Sequence, residues 1–99
     1  MGKWVGTYTN STIDQTKNNF EIELSDRRVL KVKTLGKNTN LNINGRWQVD
    51  NAGKFTASYD NGGAKITLYT TTTAATPTSI IGFYNNASGN LTGYIYLTN

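Results

Sequence analysis

Six carboxylates, Asp14, Glu21, Glu23, Asp26, Asp50 and Asp60, are the side chains of this 99-residue chain best suited to acid–base chemistry. Two of them placed either side of a glycosidic bond would suffice for sugar hydrolysis, one protonating the leaving oxygen and the other attacking or activating water. Their positions argue against that use. Asp26, Asp50 and Asp60 fall in turn-forming stretches, where an Asp side chain commonly bonds its own backbone. Asp14 lies in NSTIDQTKNN without an acidic neighbour, and Glu21 and Glu23 alternate along a stretch that faces lysines. The chain has no histidine and no cysteine. It therefore lacks the base that titrates nearest neutrality, the thiol nucleophile, disulfides and the commonest zinc ligands. The expectation is a non-catalytic protein with no metal site and no cofactor.

Aromatic side chains are the other residues that suggest chemistry, in this case recognition. The only two tryptophans each stand two residues after a glycine and directly after a cation, in GKWVGTY (Trp4) and GRW (Trp47), and six tyrosines are spread along the chain. The elements that position them are strands. Between residues 3 and 98, eight segments alternate apolar and polar residues, separated by Asn, Asp, Gly and Ser clusters, and none shows sustained helical periodicity. This predicts an all-β antiparallel meander of about eight strands.

Hairpin arithmetic tests the faces, because a correct loop must set apolar residues opposite apolar ones. In FEIELSDRRVLKVK, a turn at Asp26-Arg27-Arg28 sets Leu24 opposite Leu30 and Ile22 opposite Val32, with Glu23 against Lys31 and Glu21 against Lys33. In WQVDNAGKFTASY, a loop of Asn51-Ala52-Gly53 pairs Val49 with Phe55 and Trp47 with Ala57. In FTASYDNGGAKITL, a turn at Asn61-Gly62 pairs Tyr59 with Ala64, Ala57 with Ile66 and Phe55 with Leu68. For the last hairpin, Ile80, Gly82 and Tyr84 are the expected inward set, with Ile81 and Phe83 as the alternative. A meander with one apolar face and two free edges invites aggregation, and closure removes both edges. The expected structure is one small barrel over residues 1–99, with Trp4, Gly6 and Tyr8 of the first strand beside Leu91, Gly93, Ile95 and Leu97 of the last.

GKWVGTY, the returning GRW and the closing GNLTGYIYL resemble the small lipocalin-like and avidin-like barrels of the calycin group, especially short bacterial members. The resemblance implies an eight-stranded up-and-down barrel with a ligand site at one mouth. Only Met1 precedes Gly2, where lipocalins place an apolar and aromatic approach, and the last strand has no arginine to pack over the tryptophan. No tryptophan follows Trp47 to wall a biotin ring, so biotin binding is not carried over.

An eight-stranded barrel is just wide enough for its side chains to fill it or for one small ligand. Both outcomes stay open for this inward list, which includes Trp4, Tyr8, Trp47, Val49, Tyr59 and Leu91. Tyr8 and Tyr59 are the foremost ligand candidates, with Trp4 and Trp47 beside them, since a buried phenol must find a hydrogen-bond partner. Outside, Tyr94 and Tyr96 share one face of the last strand and Tyr69 points outward from the sixth, forming a candidate interaction surface. The reading is a binding module for a small apolar or sugar-like ligand, or an extended one, held at the barrel mouth or on the exposed Tyr face. The alternative is a surface-located protein- or glycan-interaction module, adhesive or inhibitor-like, with a filled core and a protein partner or a second copy.

The formal net charge is +4 and the pI about 9.5. Arg27, Arg28, Lys31 and Lys33 cluster, but the lysines face glutamates, so an ordinary solvated face is expected and nucleic acid is not an expected partner. No run approaches the ~20 apolar residues that span a bilayer. Localisation stays open, one reading being the mature part of an exported protein whose signal has been removed.

Overall fold

The computed structural model describes residues 2–70, 79–86 and 91–99, with the side chain of Leu91 left out. Eight strands run in chain order: β1 (Gly2–Thr9), β2 (Lys17–Leu24), β3 (Val29–Leu35), β4 (Ile43–Val49), β5 (Phe55–Asn61), β6 (Ala64–Tyr69), β7 (Ser79–Asn85) and β8 (Leu91–Thr98). Each pairs antiparallel with the next, and β8 pairs with β1 to close the barrel. The described residues contain no helix. At the seam, Gly6 opposes Leu97 and Tyr8 opposes Ile95.

Alternation becomes burial directly, because successive side chains on a strand leave opposite faces. On β2 the inward residues Phe20, Ile22 and Leu24 are buried, on β3 Leu30 and Val32, and on β5 Phe55, Ala57 and Tyr59. Ile80 is buried while Ile81 is 51% exposed, so Ile80, Gly82 and Tyr84 form the inward set of β7. The inward face of β8 carries Ile95 and Leu97. The expected inward position of Leu91, and the Gly89-Asn90 start of the closing motif, lie outside the described residues.

The β2–β3 and β4–β5 turns fall where the sequence places them. Leu24 opposes Leu30, Ile22 opposes Val32 and Glu23 opposes Lys31. Trp47 opposes Ala57 and Val49 opposes Phe55, around Gly53 at φ 83°. Three details differ. A bulge between Glu21 and Ile22 shifts the ladder, so Glu21 opposes Thr34 rather than Lys33. The charges consequently pair on other partners: Lys33 with Glu23 at 3.6 Å, and Lys3 of β1 with Glu21 at 3.4 Å. The β5–β6 turn lies at Gly62-Gly63, so Tyr59 opposes Ile66 and Ala57 opposes Leu68. Both glycines have positive φ, 63° and 89°, as a two-residue hairpin turn of the mirror-image type demands at both central positions. Asn61 would adopt that conformation at greater cost than a second glycine. Val49, expected inward, is 45% exposed: it lies past the pairing of Val29 with Arg46, the last between β3 and β4, so its ladder neighbour is Phe55 of β5 alone.

Candidate ligand site at the open mouth of the barrel

The two ends of the barrel differ in what the inward residues leave behind. At the end that holds the β2–β3 and β4–β5 turns, Trp4 is buried to 4% exposure and Trp47 packs half-buried against the core. The Trp47 indole N–H donates to the Ser25 carbonyl at 3.0 Å, tying β4 to the β2–β3 turn. The Trp4 indole nitrogen is buried without a partner among the described residues. Both tryptophans therefore close this end.

Four residues further along β1, about 13 Å away at strand rise, Tyr8 faces the other end, and there the barrel is hollow. A cavity of ≈ 290 Å³ opens between Tyr8, Tyr59 and Tyr84, with Phe20, Leu68 and Ile95 beneath them. Leu35, Leu41, Ile43 and Ile66 extend the apolar wall, and the exposed Asn38 and Asn61 add amides. None of these residues is charged. The volume is close to the lower end of the ~300–1,000 Å³ usual for ligand pockets.

The three phenols are held differently. The Tyr84 hydroxyl donates to the Thr9 carbonyl at 2.5 Å. Thr9 is fixed in turn, its hydroxyl donating to the Ser11 carbonyl at 3.0 Å and accepting from the Tyr94 N–H at 2.9 Å. The Tyr8 ring packs edge-on against Phe20 at 5.6 Å and against Tyr84 at 6.0 Å between centroids, a favoured aromatic geometry. For the Tyr8 and Tyr59 hydroxyls no hydrogen-bond partner is found among the described residues. Burial, followed by the nearby Tyr8 and Tyr84 phenols, pushes the Tyr59 hydroxyl far above the ordinary range, and burial raises Tyr84 in the same direction.

These shifts predict an alkaline instability. A phenol whose folded pKa is raised favours folding only while the unfolded chain would also keep it protonated, so the contribution is complete below about pH 10 and is lost as pH rises beyond it. Unfolding free energy by urea titration is expected to be flat with respect to Tyr59 below ~pH 10 and then to fall with a slope approaching ~1.4 kcal/mol per pH unit. Tyr59→Phe should remove most of that slope. An unchanged slope in the variant would place the titration elsewhere.

Of the sequence candidates, Tyr8 and Tyr59 come together at the cavity, whereas Trp4 and Trp47 do not line it. Tyr84 completes the site, and its only sequence signal was its inward parity on β7. On the outer wall, Tyr69 and Tyr94 are joined through Phe83, which the sequence reading did not single out: ring centroids are 5.7 Å from Tyr69 to Phe83 and 5.4 Å from Phe83 to Tyr94. Tyr96, Ile81 and Val5 lie half exposed beside this row. The acidic residues stay apart. Asp14 accepts from the Thr16 hydroxyl at 2.6 Å and from the Asn10 amide at 3.1 Å, bonds that hold its carboxyl below its usual range. Asp50 accepts from the N–H groups of Ala52 and Lys54 in its own turn. No group of three or more acidic side chains able to hold a metal occurs among the described residues, nor does a helix long and apolar enough to cross a membrane. Comparison of the chain with family models, curated proteins and solved structures finds no match.

Proposed function

We propose that the chain is a non-catalytic binding module that seats a small, neutral ligand at the open mouth of its barrel. The observation that supports this reading is the ≈ 290 Å³ cavity walled by the Tyr8 and Tyr59 phenols, whose hydroxyls find no partner among the described residues. Both phenols line the open cavity, and a hydrogen bond from such a hydroxyl to a ligand oxygen contributes a net ~0.5–1.5 kcal/mol. The uncharged wall selects against ions. An apolar or sugar-like body would rest on Phe20, Leu68 and Ile95, with a carbonyl or hydroxyl oxygen toward Tyr8 and Tyr59. The closed eight-stranded meander agrees with a calycin-like barrel of the ligand-carrying kind.

Prodan, a neutral naphthyl ketone whose emission responds to polarity, is a suitable probe. It is expected to bind with blue-shifted emission, and Tyr8→Phe and Tyr59→Phe should each weaken binding about tenfold, the loss expected for a hydrogen bond worth ~1.4 kcal/mol. Tyr94→Ala should leave it unchanged. Binding lost in Tyr94→Ala and retained in the two Phe variants would move the site to the outer wall.

The second reading has its own observation. The outward residues of β7 and β8, Ser79, Ile81, Phe83, Asn85, Thr92, Tyr94, Tyr96 and Thr98, include no charge, whereas every other strand sends at least one charged side chain outward. An uncharged aromatic strip suits a protein partner, a neutral glycan or a second copy of the chain.

A further inference from the structure

The charge that is missing from β7 and β8 is gathered elsewhere. Arg28 in the β2–β3 turn, Arg46 on β4 and Lys65 on β6 line one groove of ≈ 340 Å³ on the outer wall. Its bed carries Ser58 and Thr67, which follow Arg46 in cross-strand register, and Gln48 lies one step along β4. We propose that this groove is a binding site for a single tetrahedral oxyanion, the phosphate or sulfate of a monoester.

Three observations carry the assignment. First, the cations are uncommitted: among the described residues none of the three makes an ion pair, whereas Lys3 and Lys33, on the β1–β3 side of the barrel, are taken up by Glu21 and Glu23. No carboxylate lines the groove. Asp60 opposes Lys65 in backbone register but lines an adjoining hollow. Second, the donors suit the ligand. Guanidinium groups bond oxyanions in pairs of N–H donors, an ammonium adds a point charge, and hydroxyls and an amide can bind the remaining oxygens.

Third, Arg28 holds its place at a cost. Its φ is +60°, a left-handed conformation that glycine or asparagine adopts with less strain. The Arg28 carbonyl accepts the Trp47 N–H at 3.1 Å, and Val29 pairs with Arg46, so the turn is pinned where the two arginines share the groove. A space of this size, with Asp60 at one margin, suits one ester group and not the backbone of a polyanion.

The test is a two-dimensional NMR titration of the full chain with inorganic phosphate, against chloride at matched ionic strength. Saturable shifts confined to Arg28, Arg46, Ser58 and Thr67 are expected, with a dissociation constant on the order of millimolar. Arg46→Gln should weaken binding about tenfold. Arg28→Gly should weaken it by a similar factor while raising the melting temperature, a combination that a misfolded variant cannot produce. Shifts that chloride reproduces, or that spread over every surface cation, would overturn the site, as would Arg28→Gly gaining stability with phosphate affinity unchanged. Tight binding of a single-stranded oligonucleotide with steep salt dependence would overturn the single-ester reading in favour of a phosphate track.

Discussion

Gly6→Ala is expected to lose at least ~3 kcal/mol of folding stability, a fall of roughly 12 °C or more in the thermal midpoint. A Cβ built on Gly6 lies 1.8 Å from the Tyr96 carbonyl oxygen, 2.8 Å from its carbon and 2.9 Å from the Leu97 Cα. All three contacts are backbone, so no side chain can rotate away. The seam must separate instead, and it consists of only the Val5–Tyr8 stretch of β1 against Thr98–Ile95 of β8. Parting it would expose two strand edges that the closed barrel hides. Gly45 meets the Ser58 carbonyl oxygen at 2.0 Å and should behave alike. Gly93→Ala is expected to be milder, since Thr9 Oγ1 and the Tyr84 ring are two of its three nearest atoms and both belong to side chains. Urea unfolding followed by tryptophan fluorescence measures the series. A Gly6→Ala protein within ~1 kcal/mol of the parent would show that the seam has slack. Against a total of ~5–15 kcal/mol for a domain of this size, the expected loss is a large fraction.

Phe20→Ala should cost ~3–5 kcal/mol, the usual range for removing a buried ring. Phe20 is 1% exposed, stands between Gly6 of β1 and Leu35 of β3 in the ladder, and supports the Tyr8 ring. It also forms part of the cavity floor. The void it leaves would join the open mouth and fill with water, so the loss is expected toward the lower end of the range and prodan affinity should fall with it. Ile13→Ser is the control. Ile13 is 94% exposed in the β1–β2 loop, and the change should stay within ±0.5 kcal/mol. A Phe20→Ala protein as stable as this control would mean that the inward face of β2 is not packed as described.

Sequence and structure part company at identifiable places. The faces of β2, β3 and β5 were legible because period-two alternation is local and tolerates no one-residue slip without inverting a strand. The β5–β6 register was legible only modulo two residues. Moving the turn from Asn61-Gly62 to Gly62-Gly63 keeps Tyr59, Ala57, Ile66 and Leu68 inward, so the pattern cannot tell the two apart. The bulge between Glu21 and Ile22 left no trace in the alternation, and with it went the expected Glu21–Lys33 pair. Tyr8 and Tyr59 were marked as pocket residues by parity and by the polar end of a buried phenol. Tyr84 inward and Phe83 outward both waited on a register for the last hairpin, since the two residues are adjacent and a one-residue slip exchanges their faces.

What the sequence determined by itself is the all-β meander, its closure and its inward face, since these follow from alternation, turn residues and the need to hide strand edges. Tertiary structure alone decided which end is plugged and which is hollow, because that depends on strand stagger summed around eight ladders. Trp4 and Tyr8 share one face of β1, yet one closes the barrel and the other opens onto ≈ 290 Å³. The same summation brings Arg28, Arg46 and Lys65, from three separate hairpins' worth of chain, to one groove. No local spacing records that meeting, because side chains on neighbouring strands are placed by cross-strand register and not by distance along the chain.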